Sequence, residues 1–521
     1  MEIKKTIASS TILIVILTGI GYSLSFLGQC IIANYFGVSK ELDSFVVASI
    51  IPEFFFGLTN AFLLTPFIIL YPEICKKEGK DAARRFMNLL LTLTCFFLLI
   101  ISILLFVYSS QLAAVIAPGF LPAQQILTGG ILKIIACSVF FLGLISLFTS
   151  ILYLEDDFFA SKVLRIMINI GIIFSTVFLS RAVGVMSLAV GTTAGIIVAC
   201  FTQYIFLKKK HYSFSFSLDI NNSYLKEIFL LSLPLLMTSL FFYLNKLGIN
   251  MIASTAGEGS ISALNYAFLI INIPVILFSE SLATVLFPHL RKRVTNEEIG
   301  IVNNIFVKSV LVIIVIIIPI MVFFMIFYYE IIHLILERGA FTSLSTEAVS
   351  RALWFYAFGL IPLSLVNIIG SVLHALKKVQ PRMYFFFCLF FSNIFLAYFF
   401  AKIRSYQEIA LGTSISYWIF ACLGIYYLST LLPFAKSSVI FSEVVKIFFA
   451  SAIVAAAVYF LHSFFTTFSF FSGLFWETIT LLVWGVLILG IYWCLLNFMQ
   501  SKAEKIIIAL IKKQFPREKN E

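Results

Sequence analysis

Charge is what this sequence has least of. Only 12% of its 521 residues are Asp, Glu, Lys or Arg, against 61% hydrophobic. Soluble domains carry about a quarter charged residues, so a water-soluble globule of this composition would lack the polar surface to cover itself. No polar stretch is long enough to form a separate soluble domain. The eight cysteines include no C-x-x-C pair and lie mostly inside apolar runs, which argues against a disulfide frame and against a metal or redox site. The five histidines show no H-E-x-x-H or related spacing, so metallohydrolase chemistry has no foothold. The outer loops are short and no histidine sits in a cluster, which leaves little room for a membrane glycosyltransferase or acyltransferase. The expectation is a protein that is not an enzyme and has no cofactor.

What the chain has is long apolar runs, with a mean hydropathy of +1.05. At roughly 20 apolar residues per crossing, they divide into fourteen spans, at 9–36, 44–72, 87–108, 125–152, 163–180, 185–207, 228–254, 262–287, 305–328, 347–374, 383–401, 408–431, 443–462 and 474–499. The fold class is therefore an all-α polytopic membrane protein. The net charge of +11 is compatible with nucleic-acid binding, but its distribution is not. With the N-terminus inside, 28 of the 36 Lys and Arg fall in inside segments and 6 in outside ones, leaving Lys133 and Lys246 at membrane depth. That bias puts both termini in the cytoplasm. The tail at 501–521 is basic and reads as a short helix at the inner surface, in contact with membrane lipids or simply solvated.

The chain is organised around a hairpin at residues 28–73. A glycine turn at Gly37 leads into a second helix that carries Pro52 and Glu53. The arrangement returns 220 positions later, Ala33 matching Ala253 and Gly37 matching Gly257, with Pro274 inside the helix that follows. The repeat extends further: Phe120 to Ser150 and Phe341 to Ser371 are both 30 positions apart. Two six-helix lobes follow, 1–222 and 223–435, related by a pseudo-two-fold axis along the membrane normal. Helices 13 and 14, at 436–500, fall outside the repeat. Gly191 and Gly195 form a G-x-x-x-G pair suited to close helix packing.

Ionisable groups at membrane depth need a reason, because each costs about 2.5–3.5 kcal/mol on insertion scales. At 1.5 Å per residue, Glu53 lies about 14 Å from the outer end of its helix, Lys246 at a similar depth and Lys133 slightly shallower. Glu280 sits about 10 Å from the inner end of helix 8. The sharp reading is that Glu53 and Lys246 pair across the lobes when the outer side is closed, and that an anionic substrate competes for Lys246 and Lys133. The plain alternative is that the lysines snorkel to the surface and Glu53 is a neutral, hydrogen-bonded acid. Glu280 is open to a coupling-ion role or to protonation in place.

Four stretches carry a family resemblance: ANYFGVSKELDSFVVASIIP (33–52), IAPGF with ILKI (116–134), LNYAFLIINIPVILFSESLATVLFPHL (264–290), and ERGAFT with YAFGLIPLSLVNIIGSVLHA (337–375). The chain resembles the MurJ/MviN lipid II flippases of the multidrug/oligosaccharidyl-lipid/polysaccharide exporter superfamily. The resemblance implies alternating access, a polyprenyl-pyrophosphate-linked glycan as substrate, a central cavity for its headgroup, and a lipid-tail groove at helices 13 and 14. It also implies a bacterial cytoplasmic-membrane location, no nucleic-acid partner and a monomer, with a coupling ion or the membrane potential as drive. Asp43 and Lys133 match the family pattern. Gly37, Pro52, Pro274, Glu337, Arg338, Gly339 and Phe341 match its structural motifs. Lys246, Glu53, Lys133, Asp43, Glu280 and Asn245 are the candidate substrate or gating residues. The cavity arginines expected in the first two helices are missing from GYSLSFLGQC and EFFFGLTNAF, and Phe268-Leu269 stands where the family has Asp-Arg. An exporter of surface polysaccharide, or of another amphiphile or drug, is the alternative within the superfamily.

Overall fold

In the computed structural model, residues 2–505 are described except 156, 220–221, 404, 434–437 and 467–472. The described residues are helical nearly throughout, as a chain must be when no water is present to satisfy its backbone. The helices are α1 Glu2–Phe36, α2 Lys40–Glu78, α3 Lys80–Val107, α4 Ser109–Ile116, α5 Pro122–Leu154, α6 Phe158–Val183, α7 Met186–Lys209, α8 Ser223–Ser254, α9 Ser260–Pro274, α10 Ser281–Thr295, α11 Ile299–Ile326, α12 Tyr328–Leu336, α13 Ser343–Ala357, α14 Leu360–Ala375, α15 Val379–Ile403, α16 Ile409–Leu431, α17 Ser438–Thr466 and α18 Leu474–Phe498. A π-helical turn, Val275–Glu280, joins α9 to α10. Thirteen candidate spans are long and apolar enough to cross a membrane, and α13 with α14 makes a fourteenth. The spans agree with the hydropathy reading to within a few residues, apart from the longer α1, α2, α3, α9–α10 and α11.

One difference is the break at the tenth span, where α13 and α14 meet at 52°. Pro362 has no N–H to offer the carbonyl four residues back, which belongs to Phe358, and its ring crowds that carbonyl. The freed Phe358 oxygen accepts from Trp418 Nε1 at 3.2 Å instead. Beside it, Ser414 Oγ donates to the Phe355 carbonyl at 2.9 Å. A second difference is the pair of short helices α4 and α12, which the apolar-run reading treats as loop. They also lie about 220 positions apart.

The chain divides into two compact units, residues 1–262 with Arg338–Thr342, and residues 263–337 with 343–521. In the first unit, α6 and α7 pack backbone to backbone. A Cβ at Gly191 would stand 2.4 Å from the Gly171 oxygen, and one at Gly195 2.5 Å from the Met167 oxygen. The unit's core gathers Phe67, Leu70 and Ile74 of α2, Phe86 of α3, Leu147 and Ile151 of α5, and Leu207 of α7. In the second unit, α14 is buried along much of its length, with Leu360, Ile368, Ile369 and Leu373 fully enclosed.

Candidate functional site: paired charges and an interlocked end in the first unit

The site is built on the α1–α2 hairpin. Gly37 ends α1 in a left-handed conformation (φ +56°) that a glycine adopts at no steric cost. Ser39 then starts α2, its hydroxyl accepting from Leu42 N–H at 3.2 Å. Into this turn fits the segment Arg338–Thr342. Ala340 N–H donates to the Asn34 carbonyl at 2.8 Å. A Cβ at Gly37 would lie 2.3 Å from the Ala340 oxygen, and one at Gly339 (φ +60°) 2.4 Å from the Asn34 oxygen. Phe341 is buried behind them. At Gly37 and Gly339 only a residue without a Cβ therefore fits.

A matching contact forms at the end of α8. Gly119 N–H donates to Ser254 Oγ at 3.2 Å, and a Cβ at Gly119 would lie 2.2 Å from the Ser254 oxygen. Between the two contacts sits Asp43, fully buried on α2. Its two oxygens accept the Gly259 N–H at 2.7 Å and the Ser262 N–H at 2.6 Å. These amides lie just before and within the first turn of α9, where unpaired N–H groups and the helix dipole favour an anion. The role of Asp43 in the structure is thus a buried helix cap. The more exposed Lys40 and Glu258 stand 3.8 Å apart nearby.

Deeper along the same helices, Lys246 Nζ of α8 forms an ion pair and hydrogen bond with Glu53 Oε2 of α2. Both side chains are partly exposed. One turn below, Tyr243 lies across α2 where Gly57 leaves room, since a Cβ there would be 2.0 Å from the ring. Phe54 meets the same ring edge-on at 6.2 Å. Close approach at Gly57 brings α2 and α8 near enough for the two charges to meet. Pro52 is buried in the turn just before Glu53. Asn245, one position before Lys246, is buried.

The remaining candidates stand apart. Lys133 on α5 is exposed and forms no ion pair with Glu53. In the second unit, Pro274 is buried immediately before the π turn, and Glu280 closes that turn and lines a cavity with His374 and Arg382. Glu337 accepts from His333 Nδ1 at 2.8 Å and from Thr346 Oγ1 at 2.5 Å, and His333 Nε2 stands 3.4 Å from Glu477. Burial works to raise the Glu337 carboxyl, but the hydrogen bonds from Thr346 and His333, with the charge on His333, hold it below the usual carboxylate range. Among the described residues, no group of three His, Cys, Asp or Glu is arranged to hold a metal ion. Arg338 is exposed next to Gly339. Sequence reasoning missed the backbone partners Asn34, Gly259 and Ser262, because main-chain amides leave no mark in side-chain identity. Gly57 and Tyr243 could have been found as a small residue and a large one, each within a turn of a membrane-depth charge.

Thirteen to fourteen candidate spans, long and apolar enough to cross a membrane, with a lysine and a glutamate paired between two of them, define a multi-pass membrane protein. The model of the family described as lipid II flippase MurJ matches residues 32–480, and the chain belongs to that family, whose members are flippases rather than enzymes. It is 27% identical over 413 residues to a chain described as probable lipid II flippase MurJ from Buchnera aphidicola subsp. Acyrthosiphon pisum, covering 78% of this chain and 80% of that one. It is 26% identical over 449 residues to one so described from Aquifex aeolicus, covering 83% and 84%. Among solved structures it is similar to a lipid II flippase MurJ in an inward closed conformation, with a TM-score of 0.79, 26% identity, and 92% and 98% of the two chains covered. An inward-facing multidrug transporter of the MATE family has a TM-score of 0.68 at 14% identity, over 80% of this chain and 95% of that one, and shares the fold.

Proposed function

We propose that the chain moves a polyprenyl-pyrophosphate-linked glycan, lipid II or a related lipid-linked oligosaccharide, from the inner to the outer leaflet of the bacterial cytoplasmic membrane. Both termini lie in the cytoplasm. The six-helix repeats 1–222 and 223–435 rock against each other, and the tail groove lies at 436–500. The observation that carries this reading is the Glu53–Lys246 pair. It joins helices of the two repeats at a depth where each charge alone is costly. An anionic headgroup that takes Lys246 from Glu53 weakens the closed arrangement and favours outward opening. That is the differential binding a two-state transporter requires. Asp43 strengthens the same closed arrangement from the end of the bundle.

The test is complementation of a strain depleted of its own lipid II flippase, with Glu53→Lys, Lys246→Glu and the double swap. Growth on the wild-type chain and on the double swap, but on neither single variant, supports both cargo and gate. Equal failure of single and double variants would remove the gate. A second reading, export of a surface polysaccharide, is favoured by the missing arginines in GYSLSFLGQC and EFFFGLTNAF. It predicts no rescue by the wild-type chain, but restored surface polymer in a strain lacking its polysaccharide flippase.

A further inference from the structure

The second unit contains a cavity of about 450 Å³ that the gate does not use. It is lined by Glu280 from the π turn, Thr284 and Phe287 from α10, Asn367, Ser371 and His374 from α14, and Arg382 from α15. Arg382 is the unusual member. Its Nε is buried without a hydrogen-bond partner. The guanidinium lies between Gly370, where a Cβ would come within 3.2 Å of Cζ, and the ring of Phe386, whose centroid is 5.7 Å away. It has no carboxylate within ion-pair distance among the described residues, and its electrostatic neighbour is another nitrogen base, His374. The exposed Lys377 and Lys378 stand in the turn joining α14 to α15, the end that the charge count assigns to the cytoplasm.

A planar fork of N–H donors, buried against a glycine and lacking its anion, is poorly satisfied as it stands. Beside it are an imidazole and an amide able to donate to oxygen, while the Thr284 and Ser371 hydroxyls already donate to the Glu280 and Ala283 carbonyls and keep their acceptor lone pairs. The set matches a phosphate or diphosphate ester better than a metal or a cationic drug, since Arg binds such oxyanions bidentately. Glu280 and the oxygens of Asn367 and Ser371 add acceptors for hydroxyl groups, which a bare phosphate lacks and a sugar ester has. The π turn inserts the extra residue that changes the direction Glu280 faces, and such turns recur at functional sites.

We infer that the α10–α14–α15 cavity binds the diphosphate-sugar end of the cargo on the cytoplasmic side, with Arg382 and His374 on the diphosphate oxygens and Glu280 and Asn367 on sugar hydroxyls. The identity of the cargo rests on the function proposed above; the anion site itself does not. It gives the chain a headgroup contact within the second unit, where the arginines expected in the first two helices are missing.

The test is titration of the full-length chain in detergent with inorganic diphosphate and with farnesyl diphosphate, read by calorimetry. Arg382→Gln should weaken both about tenfold, the scale of one charge-assisted hydrogen-bond pair. Arg382→Lys should fall between, because it keeps the charge and loses the fork. Glu280→Gln should tighten inorganic diphosphate about threefold, by removing a carboxylate that faces the anion. If Arg382→Gln does not fold, Glu280→Gln decides alone, and unchanged affinity there overturns the inference. Affinities within twofold of wild type for a folded Arg382→Gln also overturn it. Tighter binding of farnesyl diphosphate than of inorganic diphosphate would assign the site to a lipid-linked anion, and equal binding to free phosphates. Vesicle flipping of a lipid-linked diphosphate glycan separates the two proposals. Flipping without Arg382-dependent binding removes the inference alone, and binding without flipping removes only the cargo.

Discussion

The two ends of the 220-residue repeat make the same contact with different parts. At the first hairpin, the turn after α1 receives Gly339 and Ala340. At the second, the end of α8 receives Gly119. Each turn thus holds the glycine loop of the other copy, the reciprocity expected of a two-fold relation. The polar addition is one-sided. Asp43 caps the start of α9, whereas the residue 220 positions later is Ala263, buried and without a polar group. Duplication supplied the backbone fit, and a single carboxylate makes one half of it sensitive to what the neighbouring helix does. A gate needs such a breakable part; two identical steric fits would only make a rigid joint.

The comparison can be tested first at the glycines, where the largest effects are expected. At Gly37 and Gly339 a side chain meets both a backbone clash and a left-handed conformation, whose cost is about 1–2 kcal/mol for an L residue. Gly119 carries the clash alone. Gly37→Ala and Gly339→Ala should lower the yield of monodisperse protein in size-exclusion chromatography more than Gly119→Ala does. An equal loss at all three would mean that sterics alone decide. Asp43→Asn comes next. It keeps one acceptor, loses the charge and turns an amide donor toward a helix N-terminus. A hydrogen bond to a charged group contributes about 1.5–3 kcal/mol, so the loss should appear as a clear drop in melting temperature in detergent. Ala263→Ser at the corresponding position should change it little.

The Glu53–Lys246 pair should have a smaller effect on stability than Asp43, because both side chains are partly exposed and such pairs contribute about 0–1 kcal/mol where water reaches them. Its effect should fall on transport. Lys246→Gln should leave the melting temperature near wild type while slowing vesicle flipping several-fold. A variant that melts early yet flips normally would make the pair a structural tie.

Much of this was legible from the residues, for identifiable reasons. Span positions follow from hydropathy because lipid penalises every unpaired backbone group. The Glu53–Lys246 contact was legible because membrane-depth charges are few and each needs a partner. Arg382 was not. It sits at the first turn of α15, next to Lys377 and Lys378, and a charge count takes it for a cytoplasmic loop residue. Only the contact with Gly370 shows that it turns inward. The break between α13 and α14 was half legible. Pro362 predicts a disturbance, but its size depends on Trp418 and Ser414, which come from α16 and satisfy the freed carbonyls.

The smallest expected effect is a pH dependence at Glu337, on the residue that precedes the Arg338–Thr342 segment. Its carboxyl is held below the ordinary value of 4.5, against burial, by hydrogen bonds from Thr346 and His333 and by the charge on His333. A depressed acid stabilises the fold above its ordinary value, and that contribution is lost as the pH falls through the folded-state value. The melting temperature of wild type should therefore exceed that of Glu337→Gln at about pH 5. The margin should shrink as the solution is acidified below about pH 4.5. Thr346→Val removes one of the two hydrogen-bond donors and should move the onset of shrinkage to higher pH. If the margin stays constant to pH 3, the carboxylate does not stabilise the fold through its charge, and the anchoring of the loop rests on Gly339, Phe341 and the Ala340–Asn34 hydrogen bond.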